Sequence, residues 1–130
     1  MTTEDYINKA MALRNSASCP NCAETILLTY ADDLNLTEET AASLASNFGG
    51  GMRSGRTCGA ITGALMVLGG LGIKDPASIN TLWNKFNENH NGMTDCAPLL
   101  KANALAGNDR TSHCNGMIQE AIRYIEELRA

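Results

Sequence analysis

Apolar residues recur along this chain at helical spacing, with no stretch that alternates as a half-buried strand would and no internal repeat. Tyr6, Ile7, Ala10, Met11 and Leu13 mark a first amphipathic helix over 5–13. Ala23, Ile26, Leu27, Tyr30, Ala31 and Leu34 share one broad face of a second, which starts at Pro20 or Cys22 and runs to Leu34. Thr37 suits the N-cap of a third, with Glu38 and Glu39 near the positive end of its dipole. The glycines at 49, 50 and 51 supply the left-handed conformation that ends it. Thr57 is placed to cap a fourth helix, CGAITGALMVLGG, which is apolar nearly all round, the mark of a central buried helix. Asp75-Pro76 opens a fifth through Asn89, with Ile79, Leu82, Trp83 and Phe86 facing inward. Thr94-Asp95 opens a short sixth, and 101–110 reads as a loop. Thr111 or Ser112 opens the last, whose stripe is Met117, Ile118, Ala121, Ile122, Ile125 and Leu128. The pattern predicts an all-α fold, a compact bundle-like array of six to seven short helices.

A chain of 130 residues, 44% hydrophobic and 18% charged, suits one domain over 1–130 with enough core to fold without staples. The net charge is −4 and the ten basic residues are scattered, so a nucleic-acid partner is not expected. No charge run suggests a membrane-surface helix. The most apolar stretch, 60–73, is broken by four glycines and falls short of the roughly 20 residues a membrane span needs. Residues 1–25 hold no continuous apolar run of the kind a leader carries. The expectation is a soluble cytoplasmic protein with no membrane partner.

In a reducing compartment, five cysteines favour metal or redox chemistry over structural disulfides. Four of them, Cys22, Cys58, Cys96 and Cys114, each fall in the predicted first turn of a different helix. There, unpaired N–H groups and the dipole's positive end favour a thiolate. A single free cysteine is more often a small hydrophobe in the core. Four at helix starts reverse that weighting.

Cys19-Pro20-Asn21-Cys22 is also a C-x-x-C pair, but the polar connector before it is no strand, so the thioredoxin context is missing. Ala23 stands where covalent haem attachment would need His, which excludes a c-type haem. Zinc normally takes paired knuckles, and this chain has one pair followed by singletons. Singletons can still converge, because bundles build sites from facing helices, and Cys₄ ligation is what [2Fe–2S] and [4Fe–4S] clusters require. The run GGMRSGRT at 50–57 imitates a phosphate loop with Arg56 for the lysine, yet it follows a helix. Its N–H groups suit an anion nest, with Arg53 and Arg56 adding positive charge.

His113 adjoins Cys114, but neighbouring helix residues point apart, which argues against a nucleophilic Cys–His pair. His90 sits in a polar turn and reads as solvated. Gly59 and Gly63 allow close helix packing and also suit a homodimer contact.

The segments NCAETILLTY, LNLTEETAASLASNFGGGM and TCGAITGALMVLGG, with the later TDC and HC cysteines, resemble the C_GCAxxG_C_C family of redox-active proteins over about 20–128. That family is related to the cysteine-rich part of split-Soret cytochromes. The resemblance implies an all-helical redox protein able to hold an iron–sulfur cluster. The family's cysteines fall on Cys22, Cys58, Cys96 and Cys114, and its glycine motif on Cys58-Gly59-Ala60-Ile61-Thr62-Gly63. Cys19 is additional.

The leading expectation is therefore a small redox or electron-transfer protein, serving an unidentified redox partner protein. Its metal ligands and cofactor-binding residues are Cys22, Cys58, Cys96 and Cys114, with Gly50 and Gly51 in the site wall. Two alternatives stay open. One is a thiol–disulfide oxidoreductase using Cys22 with Cys58, or Cys19 with Cys22. The other is a structural Cys₄ metal site.

Overall fold

A computed structural model describes all residues of the chain, 1–130. Seven α-helices, and no β-strand, follow in order: α1 Thr3–Arg14, α2 Cys22–Thr29, α3 Glu38–Ala45, α4 Gly59–Gly70, α5 Pro76–Asn89, α6 Cys96–Leu105 and α7 Arg110–Arg129. None is long and apolar enough to cross a membrane. The all-α array expected from the periodicity is what the chain forms.

The helix starts follow local chemistry. Thr2 and Asp5 make a capping box for α1, and Asn21 and Glu24 make another for α2. Thr37, Asp75 and Asp109 cap α3, α5 and α7 through their side chains. Helix α4 lies at the centre, against α2 on one side and α7 on the other, with Ile61, Val67 and Leu68 fully buried. Gly63 is why α4 and α2 come so close: a Cβ there would stand 2.9 Å from the Cβ of Ile26. Gly59 likewise lies against Ala23 and Cys22. The glycine face that also suited a homodimer is thus filled from within the chain. At the far end of the bundle, Tyr6 stacks on Tyr30 with ring centroids 4.6 Å apart. Arg129, Asp33 and Glu126 bond their hydroxyls and tie α1 and the chain after α2 to α7.

Several boundaries differ from the expected ones. Helix α2 ends at Thr29, not Leu34, because the chain tightens into turns and Asn35 takes a left-handed conformation (φ +56°) that directs the Leu36 N–H to the Ala31 carbonyl. Helix α3 stops at Ala45, before the three glycines, where Ser46 gives its carbonyl to Asn21 instead of to the helix. Thr57 does not cap α4. Cys58 occupies the N-cap, while Thr57 pairs with Asp95 in an isolated antiparallel bridge. Helix α6 continues through Leu105, inside the expected loop. Helix α7 begins at Arg110, one residue before the earlier of the two expected starts, because Asp109 supplies the cap. His90 is not solvated: its Nε2 lies 2.8 Å from Glu120, joining α5 to α7.

The expected consequence of the α2–α4 approach is measurable by urea denaturation. Gly63→Leu should cost about 1–3 kcal/mol through overpacking against Ile26. Gly69→Ala, on the same helix with nothing within 4 Å of the added methyl, should be neutral or stabilise by up to about 1 kcal/mol. Equal effects of the two would remove the close approach as the constraint.

Candidate functional site

Cys22, Cys58, Cys96 and Cys114 all line one cavity of about 130 Å³. Each comes from a different helix. Cys22 and Cys96 are the first residues of α2 and α6, and Cys58 is the N-cap of α4. Cys114 departs from the expected first turn: with α7 starting at Arg110, it lies one turn in. Cys19 is exposed and outside the cavity, so the C-x-x-C pair is not brought together there.

Local structure holds these positions. Gly59 brings the start of α4 onto α2, beside the Cβ of Cys22. Arg14, at the end of α1, donates to the Pro20 carbonyl and to Asn115, both at 2.8 Å, and so ties the chain entering α2 to α7 beside Cys114. The segment after α3 makes a left-handed turn: Gly50, Gly51, Met52 and Arg53 all have φ between +54° and +67°. Two of these are not glycine, and each costs roughly 1–2 kcal/mol in that conformation. The turn persists because it is stitched to α6. The Cys96 N–H donates to the Arg56 carbonyl at 2.6 Å, and the Cys58 N–H to the Thr94 carbonyl at 2.9 Å. Gly50 lines the cavity. Gly51 packs beneath Cys96, where any Cβ would stand 2.4 Å from the Arg56 carbonyl oxygen and 2.8 Å from the Cys96 Cβ.

The acidities of the four thiols separate sharply. The Cys22 thiol is placed to donate to Cys114, and this contact, reinforced by burial, pushes Cys22 far up. The same contact holds Cys114 down to about 6, helped by the Arg14 and Arg110 guanidiniums against the opposing effect of burial. Burial pushes Cys58 up to about 11 although the Ala60 and Ile61 amides face its sulfur, and burial also raises Cys96. The expectation that all four helix starts favour a thiolate is therefore corrected. For Cys22, Cys58 and Cys96, loss of solvation outweighs the dipole. Only Cys114, flanked by two cations, is an acidic thiol.

Sequence reasoning missed Arg14 and Arg110 and discounted His113, all of which line the cavity. Arg14 ends a helix with no cysteine in it, and nothing in its neighbourhood along the chain marks it. His113 does point into the cavity beside Cys114, but burial and His90 hold its protonation down, so it contributes little positive charge. Arg53 and Arg56, expected to add charge at the loop, are exposed and do not line the cavity. No three Cys, His, Asp or Glu side chains are gathered closely enough to hold one metal ion. The four thiols are spread around a space instead of focused on a point.

The family model described as "Putative redox-active protein (C_GCAxxG_C_C)" matches residues 20–128. No curated protein and no solved structure gives a match.

The order of acidities has a direct readout. Alkylation by iodoacetamide, mapped by peptide mass spectrometry, should modify Cys114 before the other three cavity thiols. Its rate should fall as pH drops through about 6, where the thiolate gains a proton. Cys58 should resist until the pH approaches about 11. Arg110→Gln should move the Cys114 inflection upward, and an unchanged inflection would remove Arg110 as a cause.

Proposed function

The chain belongs to the C_GCAxxG_C_C family, and we propose that it is a small redox or electron-transfer protein whose Cys22, Cys58, Cys96 and Cys114 together hold an iron–sulfur cluster. The observation that carries this reading is the set of four thiols, from four helices, on one cavity whose lining contains no carboxylate. Thiol–disulfide exchange needs two of them. A Cys₄ cluster needs all four.

The donor set fits the group on three counts. Four thiolates are the usual ligands of both [2Fe–2S] and [4Fe–4S] clusters. Their spread around a space argues against a single ion, whose sulfurs would sit about 2.3 Å from one centre, and so against the purely structural zinc reading. A thiolate-ligated cluster is anionic, and Arg14, Arg110 and the surrounding helix starts supply the opposite charge. When bound, such a cluster would supply one-electron storage. The chain's own part is to present the sulfurs, to keep Cys58 protonated until a metal displaces the proton, and to bound the space with Gly50 and with the turn that Gly51 keeps beneath Cys96.

The Cys22–Cys114 contact favours a second reading, a dithiol that cycles with its disulfide. The Cys114 thiolate attacks a substrate disulfide and expels one thiolate. Cys22 then gives up its proton, attacks the Cys114 sulfur of the mixed disulfide, and expels the second. Two electrons leave the protein and a Cys22–Cys114 disulfide remains. The exchanging pair differs from both pairs expected from sequence.

Anaerobic reconstitution with iron and sulfide, followed by the absorption spectrum and iron and acid-labile sulfide analysis, separates the two. The cluster reading expects colour with bound iron and sulfide, retained in Cys19→Ser and lost in Cys58→Ser. A colourless, iron-free chain after reconstitution overturns it. If that chain then loses two thiols reversibly on mild oxidation, and Cys114→Ser abolishes the loss, the dithiol stands in its place.

A further inference from the structure

Apart from the acidic Cys114 thiol, the charged side chains around the cavity are all cationic. Its wall holds Arg14 and Arg110 and no Asp or Glu, in a chain whose net charge is −4. Neither arginine forms an ion pair, whereas the other two arginines on helices, at the far end of the bundle, are both neutralised: Arg123 by Glu4 at 3.1 Å and Arg129 by Asp33 at 2.8 Å. Four helix starts surround the same space. Those of α4 and α6 have no side-chain cap, and that of α2 carries the Asn21–Glu24 capping box, of which only Asn21 lines the cavity. The neighbouring carboxylates lie outside the lining: Glu24 accepts from the Asn21 N–H, Asp109 accepts from the Ser112 N–H, and Asp95 is exposed. Arg110 and Thr111 are both exposed, so the positive wall reaches solvent.

We propose that this cavity is an anion-selective entrance to the thiol centre. The small molecules that meet the cysteines through it carry a carboxylate or similar anionic group beside the reacting atom. The selection comes from fixed charges, the two guanidiniums and the converging helix starts, which concentrate anions in a low-dielectric cleft. It rests on the free-thiol state of the centre, in which the cavity is open and the guanidiniums are not offset by a bound cluster. The cavity's size, about 130 Å³, suits a small ligand or the tip of a larger one.

The test uses the reduced, metal-free chain in a Cys19→Ser background, which removes the exposed thiol outside the cavity. Two alkyl disulfides of opposite charge serve as probes: 3,3′-dithiodipropionate, a dianion, and cystamine, a dication. In each case the cavity thiolate attacks one sulfur of the probe, a mixed disulfide forms and the other half leaves as a thiol. The readout is the ratio of the two rates, normalised to the same ratio for free mercaptoethanol so that intrinsic reactivity cancels. The expected ratio favours the dianion by about tenfold or more at low salt. It should collapse towards the free-thiol value as ionic strength rises from about 0.01 M to about 1 M, where the screening length falls from roughly 30 Å to roughly 3 Å. Arg110→Gln should lower the ratio, and Arg110→Glu should reverse it. The Arg110 side chain is exposed and bonds only towards Cys114, so both variants should keep the wild-type helical circular dichroism. The ratio, unlike the absolute rate, does not move when Cys114 merely becomes less nucleophilic. A wild-type ratio equal to that of mercaptoethanol, or one unaffected by salt or by Arg110→Glu, overturns the proposal.

Discussion

The approach of α4 to α2 is the constraint on which the rest of the site depends. Gly59 and Gly63 leave no side chain on the face that meets Ala23 and Ile26, so the helices close until a Cβ at 63 would stand 2.9 Å from the Ile26 Cβ and one at 59 would stand 3.2 Å from the Ala23 nitrogen. That closure carries Cys58, at the N-cap of α4, up to Cys22 at the start of α2. It also leaves the other faces of α4 free to bury Ile61, Val67 and Leu68 against the bundle. A central helix apolar nearly all round is stable in water only when enclosed this way. The same glycines thus serve the core and the site.

A second layer of the structure works against local preference. The left-handed turn at 50–53 puts Met52 and Arg53 in a conformation that L-residues avoid, and it survives because its neighbours over-determine it. The bonds from Cys96 to Arg56 and from Cys58 to Thr94, with the Thr57–Asp95 bridge, clamp the start of α6 to the start of α4. Local strain at a site where two cysteines are fixed is the usual trade between stability and positioning.

Electrostatics then differentiates four chemically identical side chains. Helix starts alone would make every one of these thiols acidic. Burial cancels that for Cys22, Cys58 and Cys96, and the Cys22 contact with two arginines restores it at Cys114 alone. Cys114 is therefore the most acidic of the four thiols, and it faces a positive wall.

The sequence by itself determined the all-α class, most of the helices, the role of α4 as the central one and the special standing of the four cysteines. These are written in short-range patterns: apolar spacing, caps and side-chain type. Helix ends were less legible, because Thr57 and Asp95 pair across 38 positions and Ser46 gives its carbonyl to Asn21, and neither event leaves a local mark. The earlier start of α7, with Asp109 as the cap, places Cys114 just past the first turn. Which thiols meet, which one ionises, and what charge surrounds them belong to the tertiary structure. Arg14 and Cys114 are 100 positions apart in the chain and share a wall only because α1 and α7 pack together. Burial and long-range charge are properties of the folded chain, and no local sequence pattern encodes them.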